Sequence, residues 1–167
     1  MYGTWRRRGA VFLCILALIA GISAPTASAV TIAVPDSWAK EEVAAAVRLG
    51  LVPEDMQNNY GADITRAEFC RLAVICLKEA ARVNGWELTP DPAVSFSDTA
   101  DADVLTAAGL GIVSGDGKGR FLPQKGITRQ EAAVMLYQTL KAMGAPISGA
   151  GAVFADQSAI ASWAAEP

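Results

Sequence analysis

The sequence predicts an all-α protein built from repeated helix–loop–helix units. Three observations carry this prediction: a helix-capping motif occurs twice, apolar residues at helical spacing follow each copy, and a turn-rich loop precedes each copy. The two copies of the motif occupy residues 64–69 and 127–132, so they lie 63 residues apart. A segment repeated at such an interval indicates similar units that pack on one another.

In each copy a threonine precedes the helix and a glutamate follows three residues later, which is the reciprocal capping box. The pairs are Thr65 with Glu68 and Thr128 with Glu131. Apolar residues then recur at intervals of three and four, and they form the candidate core. These residues are Phe69, Leu72, Ala73, Cys76, Leu77 and Ala80 in the first copy, and Ala132, Met135, Leu136, Leu140 and Met143 in the second.

An arginine occupies the first helical position of both copies, as Arg66 and Arg129. The helix dipole opposes a cation there by about 0.3–1 kcal/mol, and the capping box does not require one. A guanidinium beside backbone N–H groups can hold a carboxylate or a phosphate. Two interpretations stay open on this pattern: a pair of anion-binding arginines, or surface arginines that pair with neighbouring acids.

The first 29 residues have the features of a secretory signal peptide. Residues 6–8 are three arginines, residues 11–22 are apolar, and residues 27–29 (Ala-Ser-Ala) fit a cleavage site. The apolar run is shorter than a membrane span requires, and an uncleaved anchor is the alternative. Removing the three leader arginines from a total of 14 basic residues leaves 11 against 17 acids, a net charge of −6.

This charge and the missing histidine exclude several classes of function. A net acidic chain is unsuited to neutralising phosphates, so no nucleic-acid partner is predicted. The absence of histidine removes imidazole catalysis and the commonest metal ligand, so neither metal nor cofactor is predicted. Cys70 and Cys76 are six residues apart on one helix, about 9 Å along its axis and beyond disulfide reach. Both are predicted to be small buried hydrophobic residues.

The chain divides into five segments in order: a signal peptide (1–29), a first unit (30–85), a connector with two prolines (86–95), a second unit (96–146) and the start of a third unit (147–167). The first helix of each unit is expected over residues 38–49 and 103–110. A glycine follows both of them, as Gly50 and Gly111, and is placed to end the helix in the left-handed conformation. No membrane span is expected after removal of the signal peptide.

The loop of the second unit places glycines around an aspartate, as Gly115, Asp116, Gly117 and Gly119. Glycine permits positive φ and a close approach of the backbone to a ligand. Two rival functions use the nearby acids. A carboxylate pair among Asp98, Asp101, Asp103 and Asp116 would suit glycoside hydrolysis, and the loop would suit calcium. Acids before helix starts more commonly serve as caps, and the loop lacks the ligand spacing of an EF-hand, so no enzyme is predicted in these residues.

Together these segments resemble the S-layer homology modules of bacterial cell-surface proteins. In the second unit, residues 96–98 (Phe-Ser-Asp), 111–115, 119–123 and 127–131 follow the order and spacing of that family. The resemblance implies three units in a pseudo-threefold spindle, with a central helix bundle and grooves between the prongs. It also implies non-covalent anchoring at the bacterial cell wall or S-layer surface, through grooves that bind secondary cell-wall polymers, often pyruvylated, on peptidoglycan.

The resemblance implies that Arg66 and Arg129 contact the ligand. Trp38 and Trp163 lie early in the first and third units, where an indole either stacks on a sugar ring or packs in the core. The third unit lacks its arginine motif in this chain, which makes self-association through this incomplete unit a further prediction. Two alternatives remain: the anchor of a wall-acting enzyme whose catalytic module lies beyond Pro167, and a helical protein–protein interaction module.

Overall fold

The computed structural model describes residues 34–147 and 155–165, which belong to the compact unit spanning residues 32–167. The expected signal peptide (1–29) and, of the expected third unit (147–167), residues 148–154 and 166–167 lie outside the described residues. The described part is helical and contains no strand, apart from an isolated antiparallel bridge between Thr65 and Gly126. The prediction of an all-α protein is confirmed, and the threefold spindle stays a prediction.

Within these ranges the α-helices follow in the order α1 (Lys40–Arg48), α2 (Arg66–Asn84), α3 (Ala102–Gly109), α4 (Arg129–Ala142) and α5 (Ser162–Ala165). Single 3-10 turns lie at Glu54–Met56 and Gln157–Ala159. Both capping boxes are present: Thr65 and Glu68 at the start of α2, and Thr128 and Glu131 at the start of α4, bond each other reciprocally. A local sequence code therefore sets where the two long helices begin.

Helix α1 begins two residues later than the sequence predicts. Its N-cap position is Ala39, which has no side-chain oxygen to accept a backbone N–H, and Trp38 lies in the preceding turn. Gly50 ends the helix region with a φ of 71°, as expected for a left-handed terminator. None of the α1 residues is fully buried.

The core lies between the two units rather than within either of them. One face of α2 is buried, and it packs against α3 and against the segment that follows α3 in the second unit. The buried residues are Cys70, Ala73, Val74, Leu77 and Ala81 on α2, Val104 and Ala107 on α3, Ile112, Val113 and Phe121 after it, and Met135 on α4. Burying a large apolar side chain contributes about 1.5–3 kcal/mol, so this shared core holds the units together.

The predicted core residues Leu136 and Leu140 are instead exposed, by 53% and 45%. The repeat explains the difference. The equivalent residues of α2 are Ala73 and Leu77, and both are buried on the helix that packs against α3, the first helix of the next unit. Within the described residues, the next unit after α4 contributes a single 3-10 turn and the four-residue helix α5, which leave this face of α4 exposed.

Candidate functional site

A cleft of about 660 Å³ lies where the start of α2 meets the loop of the second unit and the outer side of α4. Its charged lining consists of Arg66, Lys125, Glu131 and Asp116. The remaining lining is mainly apolar or backbone, and comprises Gly111, Ile112, Val113, Ser114, Gly115, Phe121, Leu122, Val134, Met135, Gln138 and Trp163. Residues from all three sequence units therefore meet at this cleft.

Backbone hydrogen bonds join the start of α2 to the turn that precedes α4. The N–H of Arg66 donates to the carbonyl of Lys125 at 2.9 Å, and the N–H of Ala67 donates to the carbonyl of Pro123 at 3.1 Å. These two donors are among the four that a helix N-terminus leaves without intrahelical partners. Because the second unit uses them, a ligand at this end of α2 must be bound by side chains.

The Arg66 guanidinium connects the two units. Its Nε donates to the carbonyl oxygen of Phe121 at 3.1 Å and its Nη2 to that of Ser114 at 3.0 Å, while its Nη1 donates to Oε1 of Glu131 at 3.1 Å. Its Cζ also lies 4.6 Å from the centroid of the Phe121 ring, within cation–π distance. Three of five N–H donors are thus used, and two have no partner among the described residues.

Glu131 accepts hydrogen bonds from both cations of the cleft, Arg66 and Lys125. Its Oε2 accepts from the backbone N–H and the hydroxyl of Thr128, both at 2.8 Å, while its Oε1 accepts from Arg66 and from Lys125 Nζ at 3.1 Å. Burial would raise the pKa of Glu131, but the Thr128 hydrogen bonds and the Lys125 ammonium lower it to about 2. Glu131 is therefore ionised near neutral pH, and Arg66, Lys125 and Glu131 together carry one net positive charge.

Arg129 occupies a different environment from Arg66, although the two hold the same position in the repeat. Arg129 is exposed and forms no ion pair with any residue that the structure describes. The partners of Arg66 all come from the next unit along the chain.

The glycine-rich loop is held together by its own aspartate. Asp116 Oδ1 accepts the N–H of Lys118 at 2.8 Å and of Arg120 at 3.1 Å, and the Arg120 side chain bonds Oδ2. The Lys118 N–H first, and then Arg120, keep the pKa of Asp116 below its usual value despite some desolvation. A Cβ at Gly115 would lie 2.7 Å from the Arg120 carbonyl oxygen, so this glycine is required by the loop itself.

The other candidate acids have structural partners. Asp98 accepts the N–H groups of Phe121 and Leu122, both at 2.8 Å, and so holds Leu122 at a positive φ of 62°. A left-handed non-glycine residue costs about 1–2 kcal/mol, which these bonds offset. Asp101 caps α3, and Asp103 pairs with Lys78. These contacts account for the carboxylates without a catalytic role.

Four of the eight predicted ligand residues lie together in the cleft: Arg66, Gly115, Asp116 and Trp163. The other four, Arg129, Trp38, Gly117 and Gly119, are not part of its lining. Trp163 is 56% exposed and Trp38 is 81% exposed. Sequence reasoning missed Lys125 and the contribution of Glu131 to the cleft. The available signal was a lysine two residues before the second copy of the capping motif, in an acidic chain.

A second cleft of about 470 Å³ lies at the corresponding place in the first unit, between α1 and the start of α2. Glu68 and Leu72 occupy the positions that Glu131 and Met135 hold in the larger cleft. Its charged lining is acidic, namely Glu42, Asp55, Asp63 and Glu68. This charge opposes an anion, so the larger cleft is the better candidate for an anionic ligand.

Residues 34–147 and 155–165 offer neither a membrane-spanning helix nor a metal site. No helix there is both long and apolar enough to cross a membrane. No group of three or more acidic or cysteine side chains in the same ranges could hold a metal ion.

Residues 95–133 match the S-layer homology domain, and this segment supplies most of the cleft lining. The amylopullulanase of Thermoanaerobacterium thermosulfurigenes is 33% identical over 111 residues, and the match covers 64% of this chain but only 6% of that protein. No solved structure matches the chain significantly. The expected resemblance is confirmed for residues 95–133, which match the S-layer homology domain, a domain that anchors proteins at the cell surface and cell wall.

Proposed function

We propose that this chain anchors a protein non-covalently to the bacterial wall by binding an anionic secondary cell-wall polysaccharide, of the pyruvylated kind, in the larger cleft. The observation that carries the proposal is the composition of the cleft. It combines one net positive charge from Arg66, Lys125 and Glu131 with an apolar wall and the exposed indole of Trp163, while the fourth charged residue of the lining, Asp116, is paired with Arg120. A cation beside an aromatic and apolar surface suits an acidic sugar, whose anionic group and ring faces need different neighbours.

The affinity expected of one such site is low, so anchoring requires several sites to bind at once. A hydrogen bond to a charged group contributes about 1.5–3 kcal/mol, which is one to two orders of magnitude in affinity. One cleft of this kind therefore holds its ligand weakly. A polymer with repeated acidic groups that meets several clefts on a wall would be held much longer, because later contacts form at a high effective concentration.

The proposal includes the organisation expected from the sequence: a signal peptide that directs secretion, a first unit, a connector, a second unit and the start of a third. We further propose that a more complete third unit, from additional residues or from another chain, covers the exposed face of α4. This face carries Leu136 and Leu140, and its counterpart on α2 is covered in the same manner by α3. Self-association is one way to supply this cover.

Co-sedimentation with purified sacculi tests the proposed function. Residues 30–167 should pellet with sacculi that retain their secondary polymer, and should stay in solution after mild acid has removed the polymer from the same preparation. Released polymer should compete for binding. Equal retention on stripped and intact sacculi would contradict the proposal, and would favour a peptidoglycan or protein ligand instead.

A second candidate is that this anchoring module serves an enzyme. The similarity to a protein named amylopullulanase, of which the chain spans only 6%, favours it, because the matched segment is a small part of a large enzyme. The test is to express the complete gene product and ask whether polysaccharide-degrading activity pellets with sacculi and is released by the isolated module. Activity that stays soluble in the presence of sacculi would contradict this candidate.

A further inference from the structure

Two cations line the larger cleft, and their side chains differ in exposure and in the number of hydrogen bonds that they make. The Arg66 side chain is only 12% exposed and makes three hydrogen bonds, two of them to backbone carbonyls of the second unit. The Lys125 side chain is 50% exposed, and its Nζ makes one bond, to Glu131 Oε1 at 3.1 Å. An exposed lysine–carboxylate pair is weak and readily accepts another anion, whereas moving Arg66 would leave several acceptors without a donor.

We propose that Lys125 is the residue that binds the anionic group of the ligand, and that Arg66 primarily fixes the shape of the cleft. This inference rests on the proposed function and assigns the charge contact within it. The lysine is well placed for this role because its backbone is immobilised while its side chain is not. Its carbonyl accepts the N–H of Arg66 at 2.9 Å, and its own N–H donates to the Leu122 carbonyl at 3.1 Å.

The chemistry of the site indicates a carboxylate on a saccharide. The Lys125 ammonium has three donors, one of which is used by Glu131. Arg66, Lys125 and Glu131 together carry one net positive charge, and Asp116, which also lines the cleft, is paired with Arg120. This cluster matches a singly charged group better than a phosphate monoester, which carries nearly two charges at neutral pH. The ligand carboxylate would then take the two remaining Lys125 donors and either of the two remaining Arg66 donors. The sugar ring would lie against Val134, Met135 and Trp163.

The test compares Lys125→Gln with two other variants in residues 30–167, by quantitative binding to intact sacculi. Lys118→Gln is the matched control, because Lys118 is also an exposed lysine of the second unit but does not line the cleft. Lys125→Arg keeps the charge. We expect Lys125→Gln to bind about 10- to 100-fold more weakly, Lys118→Gln to bind as the unchanged chain does, and Lys125→Arg to retain most of the binding. The unfolding midpoints of all three should stay close to that of the unchanged chain, since both side chains are exposed.

Salt dependence gives a second readout. Added sodium chloride should weaken binding of the unchanged chain more than binding of Lys125→Gln, because the variant has lost an exposed charge contact. Lys125→Gln binding as tightly as the unchanged chain would overturn the inference while leaving the proposed function intact. Equal losses in Lys125→Gln and Lys118→Gln would also overturn it, because they would show a general charge effect. Failure of the unchanged chain to bind intact sacculi would instead refute the proposed function.

Discussion

The two arginines of the repeated motif should differ in their effect on stability, although they occupy the same position of the same capping box. Arg66→Ala removes hydrogen bonds to the Phe121 and Ser114 carbonyls, an ion pair with Glu131 and a cation–π contact. Arg129→Ala removes an exposed side chain that has no ion pair within the described residues. The prediction concerns the free energy of unfolding of residues 30–167.

The magnitude follows from what each replacement leaves behind. The buried environment of Phe121 makes its carbonyl costly to leave unpaired, about 1–3 kcal/mol, whereas the exposed Ser114 carbonyl can be hydrated. In Arg66→Ala, Glu131 keeps its hydrogen bonds from Lys125 and Thr128, so the cost of losing the Arg66 partner is smaller than for a carboxylate left without any partner. We expect Arg66→Ala to lower the unfolding free energy by about 2–4 kcal/mol. Arg129→Ala should change it by less than about 0.5 kcal/mol, and favourably, because a cation leaves the positive end of a helix.

Urea unfolding monitored by far-ultraviolet circular dichroism measures both changes, provided that the slope with denaturant stays the same between variants. Arg66→Lys is a useful intermediate, because it keeps the charge, but its single ammonium nitrogen cannot reach the three acceptors that Arg66 meets through three separate nitrogens. If Arg66→Ala and Arg129→Ala shifted stability equally, the claim that Arg66 joins the two units would be wrong.

Three further predictions concern single groups. Glu131→Gln should keep the capping box, because glutamine also serves there, but should leave Arg66 and Lys125 without their carboxylate partner. Sacculus binding should tighten severalfold while the unfolding free energy falls by about 1–2 kcal/mol, and weaker binding would contradict this. The pKa of Glu131 is lowered to about 2 in the folded chain, so its contribution to the unfolding free energy should be constant above about pH 5 and should be lost as the pH falls from about 4.5 towards 2. We expect this loss to be about 1–2 kcal/mol after allowance for solvent screening. Measuring the urea midpoint against pH in the unchanged chain and in Glu131→Gln would test it. Burial raises the pKa of Cys70 to about 12. In Cys76→Ala, which removes the half-buried second thiol, a thiol reagent at pH 8 should modify Cys70 only as fast as the protein unfolds, and rapid labelling of this native variant would refute the burial of Cys70.

Helix starts were predictable from the sequence because a capping box is a local signal. Thr65 with Glu68 and Thr128 with Glu131 need only residues three positions apart, and both helices begin at these residues. The start of α1 was less predictable, since its N-cap position is an alanine and no side chain sets the first turn. Gly50, at the other end of that helix, has the expected positive φ.

The interior of the cleft could not be predicted in the same way. Arg66 and Glu131 are 65 residues apart in sequence, and their contact depends on how the two units pack. The same dependence makes Leu136 and Leu140 exposed although their spacing is that of a buried helix face. The repeat defines which positions are equivalent, but the presence of a following unit decides which of them are covered. Arg66 and Arg129 differ for this reason.

The most direct measurement for the central claim is tryptophan fluorescence during titration with released wall polymer. Trp163 lines the larger cleft, whereas Trp38 lies outside both clefts and is 81% exposed. If the larger cleft binds the polysaccharide, the polymer should change the emission of the unchanged chain and of Trp38→Phe by similar amounts, and the change should largely disappear in Trp163→Phe. A signal that persists in Trp163→Phe and disappears in Trp38→Phe would place the ligand elsewhere and contradict the account.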